Sequence, residues 1–120
     1  MAFRQKIGSW GEAEAARYLE AKGMCILARN TRTPYGEIDL VGQMNGFIVM
    51  IEVKTRQNEA YGMPEESITP LKKQHMVNSA MHFLQEHPEL GEDWRVDVVA
   101  IRRNSHSELE IVWFEDVIHD

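Results

Sequence analysis

A chain of 120 residues is the size of one ordinary domain, long enough to bury most of its apolar surface. With 43% hydrophobic and 27% charged residues it is neither disordered nor fibrous in composition, and its single cysteine, Cys25, excludes an internal disulfide and a multi-cysteine zinc site. The net charge of −6 argues against a surface that is a nucleic-acid footprint throughout, but residues 1–85 carry nine acids and ten bases (+1), whereas residues 86–120 carry ten acids and three bases (−7).

Gln5 to Lys22 reads as a helix, with Gly8, Glu12, Ala15, Ala16 and Leu19 at three- and four-residue spacing and Gly23 placed to end it. Ser9, Gly11, Glu12 and Glu14 stand where a signal peptide needs an apolar stretch, and the longest strongly apolar run, Phe47 to Ile51, is far short of the roughly 20 residues that span a bilayer. Neither export nor membrane insertion is expected, and with the lone cysteine this points to the cytoplasm. Cys25 itself is expected as a buried apolar thiol.

Met24 to Arg29 is a short strand, followed by a turn-rich, mobile loop from Asn30 to Gly36. Glu37 to Val41 alternates, which puts Ile38 and Leu40 on one face and Glu37, Asp39 and Val41 on the other. Phe47 to Arg56 alternates too, with Ile48, Met50, Glu52, Lys54 and Arg56 sharing a face. Asn45-Gly46 between these strands is a strong hairpin signal. Gln57 to Thr69 reads as a connecting loop. Thr69-Pro70 then supplies the cap and first-turn proline of a helix running to about His87, with a core stripe of Lys73, Met76, Val77, Ala80, Phe83 and Leu84. Arg95 to Ile101 and Glu108 to Val112 complete an α-β-β-β-α-β-β order in one α/β domain spanning residues 1–120.

With Asn45 and Gly46 as the turn, Met44 faces Phe47, and continuing that register puts Asp39 opposite Glu52 and Glu37 opposite Lys54. Opposed residues lie about 5 Å apart at Cβ, and Lys54 follows Glu52 on its face by about 6.7 Å. Two carboxylates so placed repel unless a cation lies between them, so the arrangement is either a charge ladder neutralised by lysine or a site for a hard divalent ion such as Mg²⁺. If Glu12, Asp39 and Glu52 serve a metal, the remainder of residues 1–85 is +4, which suits a polyanion.

The runs Gly36-Glu37-Ile38-Asp39-Leu40 and Phe47-Ile48-Val49-Met50-Ile51-Glu52-Val53-Lys54-Thr55-Arg56 resemble the core of PD-(D/E)xK nucleases. Ile38 stands where the usual proline precedes the first motif acid. Together with Gly8, Gly11-Glu12, Ala15 and Ala16, with Gly62, Pro64, Glu66 and Ile68, with Lys73-Gln74 and with Val96-Asp97-Val98-Val99, they look most like the YraN-like family of small bacterial proteins, similar in turn to archaeal Holliday junction resolvases. The resemblance implies a restriction-endonuclease-like mixed central sheet flanked by helices. It also implies Mg²⁺ or Mn²⁺ held by Asp39, Glu52 and the Val53 carbonyl, with Glu12 reaching the metal through water and Lys54 serving the attacking water. Arg32, Tyr35, Arg56, Lys73 and Gln74 are the expected DNA contacts, and resolution of a junction would call for a homodimer.

The reading that follows is a metal-dependent endonuclease acting on DNA, including branched or junction DNA. The alternative is a nucleic-acid-binding or assembly module that keeps the site without efficient cleavage and uses its acidic C-terminal third to meet a protein partner. The five histidines lack zinc-site spacing and read as surface residues, and Trp10, Trp94 and Trp113 read as core. Tyr35 and Tyr61, beside glycines, are better placed for substrate.

Overall fold

The computed structural model describes residues 2–56 and 69–119. Helix α1 (Ala2–Ala21) is followed by β1 (Cys25–Thr33), β2 (Gly36–Met44), β3 (Phe47–Arg56), helix α2 (Pro70–Glu86), a single 3₁₀ turn (Pro88–Leu90), β4 (Trp94–Arg103) and β5 (Leu109–His119). The strands form one sheet in the order β1-β2-β3-β4-β5. Only β3 and β4 run parallel; the other neighbours are antiparallel, so the sheet is mixed as expected.

The element ends follow from local chemistry. Gly23, at φ 102°, closes α1: its amide donates to the Glu20 carbonyl and the Met24 amide to the Leu19 carbonyl, the paired bonds of a left-handed glycine cap. Asn45 (φ 53°) and Gly46 (φ 83°) both occupy the left-handed region that a tight two-residue hairpin demands. Thr69 caps α2 by accepting the Lys72 amide at 3.1 Å, and Pro70 fills the first turn, where no amide donor is needed.

Each helix covers one face of the sheet. Ala15, Ala16 and Leu19 of α1 pack on Leu40, Val49, Ile51, Val99 and Ile101. Ala80, Phe83 and Leu84 of α2 pack on Ile38, Val41, Ile48, Met50, Trp94 and Val96 on the other side. The small residues of α1 allow close approach: a Cβ on Gly11 would lie 2.3 Å from the Thr55 Oγ1. Trp94 is buried, while Trp10 and Trp113 pack against the α1 core, as expected.

Several expectations are corrected. Asn30 to Gly36 is not a mobile loop; β1 continues to Thr33 and pairs with β2 through a two-residue turn at Pro34-Tyr35. The Thr33 hydroxyl stitches this turn, donating to the Gly36 carbonyl (2.7 Å) and accepting the Tyr35 amide (3.1 Å). Cys25 is exposed rather than buried, because β1 is an edge strand and its thiol points away from both cores. Lys73 is exposed and does not belong to the α2 stripe. Strand β5 runs on to His119, past the expected Val112. Residues 57–68, with Tyr61, Gly62, Pro64, Glu66, Ile68 and most of the expected connecting loop, lie outside the described residues.

Candidate functional site

The β2–β3 ladder keeps the register set by the Asn45-Gly46 turn from Met44–Phe47 to Leu40–Ile51, and there it stops. Beyond that pair the strands part. The Val53 amide is taken by the Asp39 side chain, whose Oδ2 accepts it at 2.8 Å. The Asp39 carboxylate therefore stands where a neighbouring strand's carbonyl would continue the sheet. Neither the expected Asp39–Glu52 pairing nor the expected Glu37–Lys54 pairing forms, because the ladder ends one residue earlier; Glu37 sits across from Arg32 of β1. Strict alternation fails at the same point, since Ile38 enters the core under α2 while Leu40 enters the core under α1. Opposite this break Asn30 adopts φ 50°, a left-handed conformation that asparagine tolerates better than most residues.

The carboxylates gather in this fork. Oxygen atoms of Glu12, Glu37 and Asp39 lie within 4.8 Å of one another. The Asn30 amide, with its nitrogen turned to them, donates to Glu12 at 2.8 and 3.2 Å and to Glu37 at 3.3 Å. Burial pushes the Asp39 carboxyl up to about 6; the Val53 hydrogen bond opposes this, and the charges of Glu12, Glu52 and Glu37 add to it. Burial also raises Glu12, against the Asn30 hydrogen bond and with Glu37 reinforcing it.

Glu52 stands outside that triplet, yet its charge is felt at Asp39. One oxygen, Oε1, meets Lys72 Nζ at 2.8 Å and Lys54 Nζ at 3.4 Å. The other, Oε2, is buried and has no hydrogen-bond partner among the described residues. An orphaned buried carboxylate oxygen beside three further acids is an oxygen-only donor set of the kind hard divalent cations take. Burial depresses Lys54, with Lys72 adding to the effect and Glu52 opposing it. Burial lowers Lys72 as well, but the hydrogen bonds to Glu52 and Lys54 and the charges of Glu52 and Asp39 together outweigh the desolvation and raise it.

Of the residues anticipated for the site, Glu12, Asp39, Glu52 and Lys54 converge at the fork, and Val53 enters through its amide. Arg32 is an exposed cation 3.9 Å from Glu37, and Tyr35 is exposed on the β1–β2 turn. Lys73 and Gln74 are exposed, and Gln74 donates to Asn78 at 3.1 Å. Arg56 ends β3 opposite Arg102; its side chain lies outside the described residues.

Three residues were not foreseen as part of the site: Glu37, Asn30 and Lys72. Lys72 had a readable signal, because it precedes the half-buried Met76 by one helical turn and so extends the stripe of Met76 and the buried Ser79, Ala80 and Phe83 to the helix N-terminus. The polar Ser79 hides that stripe in the sequence.

Comparison with known proteins places this architecture. The profile of uncharacterised protein family UPF0102 matches residues 11–101. The chain belongs to this family. It is 43% identical over 98 residues to a UPF0102 protein of Dehalococcoides mccartyi, covering 82% of this chain and 81% of the relative. A UPF0102 protein of Sulfurihydrogenibium sp. is 43% identical over 103 residues (86% and 90%), and one of Geotalea uraniireducens is 38% identical over 115 residues (96% and 91%). The UPF0102 match bears out the YraN-like resemblance, and the matched span takes in both strands of the fork, α2 and most of β4. Among the described residues no helix is long and apolar enough to cross a membrane.

Proposed function

We propose that this UPF0102 protein is a PD-(D/E)xK-type endonuclease that hydrolyses phosphodiester bonds in DNA with Mg²⁺ or Mn²⁺. The observation that carries the reading is the open fork of β2 and β3, where four acids and two lysines collect around a break in the sheet. In this reading Asp39, Glu52 and the Val53 carbonyl would hold the metal, with Glu12 serving it through water and Glu37 available to the same set. When bound, the ion would offset the negative charge that develops on the phosphate oxygens.

The chain's own residues divide the remaining work. Lys54, whose ammonium is disfavoured by burial, is the group suited to receive a proton from the attacking water. Lys72, whose charge is favoured, is suited to hold the scissile phosphate. Glu52 touches both amines in this structure and so keeps them at the fork until substrate enters. Arg32, Tyr35, Arg56, Lys73 and Gln74 would contact the flanking DNA, and a junction substrate, cut on two strands, would require two copies of the site.

The test is direct. Purified protein is incubated with linear, flapped and four-way-junction DNA in Mg²⁺, Mn²⁺ or chelator, beside Glu52→Ala and Lys54→Ala. Metal-dependent cleavage that both variants lack supports the enzyme. Binding without cleavage, unchanged in the variants, favours a DNA-binding or assembly module instead. In the −7 segment Asp97, Glu110 and Glu115 are engaged by Arg95 and Arg102, which the net charge already counts, so the excess acidity that a basic protein partner would meet lies on the other acids.

A further inference from the structure

The fork opens on the α2 side into a cavity of about 220 Å³. Its floor is apolar: Ile38, Met50 and Val96 are buried there, and Met76 closes it from α2. Its rim is different, formed by the exposed ring of Tyr35 and by His75. Asp39, Glu52 and Lys72 form the wall it shares with the acidic site. The volume exceeds the roughly 150 Å³ of a cavity that takes one benzene ring and falls short of the roughly 300 Å³ at which pockets for larger organic ligands begin. It suits a single flat ring system.

We propose that this cavity receives one unpaired nucleobase adjoining the phosphate to be cut. The inference rests on the nuclease reading and specifies its substrate: nucleic acid with a base out of the stack, at a flap, a gap or a branch point. A base held in duplex cannot reach a recess under a helix, whereas an extruded one gains an apolar floor and an aromatic rim. The methionines suit such a guest, because thioethers pack favourably against aromatic rings and adapt to their outline. The shared wall ties base and phosphate together. Lys72 lines the cavity and also contacts Glu52 at 2.8 Å, so a nucleotide seated there has its phosphate at the fork.

Three oligonucleotides test this in the full chain with Mg²⁺: a duplex with one unpaired adenine, the same strand with an abasic residue in its place, and the fully paired duplex. The expected result is an affinity about tenfold higher for the unpaired base than for the abasic strand, the scale of one base stack. Met76→Trp, which fills the recess from α2, is expected to reduce that ratio to about one. A measurement that needs no variant is the emission of 2-aminopurine at the unpaired position, which should change when the wild-type protein binds. Equal affinity for base and abasic strands, with unchanged emission, overturns the proposal whether or not the DNA is cut. Absence of metal-dependent cleavage from these strands and from the flapped and four-way-junction DNA, with the base preference intact, overturns the nuclease reading and leaves the base site standing.

Discussion

Asp39 and Asp97 are both aspartates drawn into the sheet, and the protein treats them in opposite ways. Asp97, fully buried, is surrounded by donors: Arg95 Nε at 3.1 Å and its terminal nitrogen at 3.3 Å, the Trp113 indole at 2.8 Å and the Asp116 amide at 2.8 Å. Asp39 has the Val53 amide and, beyond it, the charges of three other acids. The first is a carboxylate whose charge the fold satisfies. The second carries a charge that burial and three neighbouring acids oppose more strongly than the Val53 amide favours it, even with Lys72 near, an imbalance of the kind that clusters at functional sites.

This contrast can be broken at either end. The largest expected effect is on cleavage: Glu52→Ala or Lys54→Ala should lower metal-dependent hydrolysis by about 100-fold or more, whereas Asp97→Ala should lower it only as far as folded protein is lost, as gel-based cleavage assays corrected for folded fraction will show. Next is stability. Removing the Asp97 carboxylate takes away the acceptor of the Trp113 indole and leaves Arg95 with Glu115 alone, and urea denaturation should register a loss of about 3 kcal/mol.

Asp39→Asn should act in the opposite direction, because the amide oxygen can still accept the Val53 amide while the charge disappears. The native carboxyl titrates near 6 against 3.8 for the ordinary group, so between those pH values the folded chain holds a proton that the unfolded chain has released. Stability contributed by this residue is therefore highest below about pH 4 and falls as pH rises to about 6. At pH 7.5 the variant should be more stable than the metal-free parent by about 1–3 kcal/mol, with a flatter pH profile by chemical denaturation. Mg²⁺ or Mn²⁺ should raise the melting temperature of the parent and leave that of Asp39→Asn nearly unchanged, a difference scanning calorimetry can detect. The smallest effect concerns how α1 delivers Glu12. Gly11→Ala should cost about 1 kcal/mol through its collision with Thr55, recovered in the Gly11→Ala/Thr55→Ala pair.

Much of this was legible in the sequence because period and punctuation agreed there. Asn45-Gly46 fixed the register through Leu40–Ile51, and Thr69-Pro70 and Gly23 marked helix ends at the residues that cap them. Legibility ended wherever a side chain replaced a backbone partner. Extending the turn register past Leu40 assumed a ladder that Asp39 interrupts, which is why Glu37 was set against Lys54 instead of beside Glu12. At the other end of the sheet Asp97 does the same to β5: the Val96/Val98 irregularity breaks the alternation beyond Phe114, so the last stretch of the strand did not read as one.

That irregularity has a further consequence. Strand β5 is an outer strand, and a long, flat outer strand offers its unused amides and carbonyls to any similar chain it meets. Asp116, at φ 58° with its amide drawn inward to Asp97, interrupts that row near the C-terminal end. A break of this kind is one of the ways outer strands are kept from pairing with other chains, and Asp97→Ala is expected to increase light scattering as well as to lower stability.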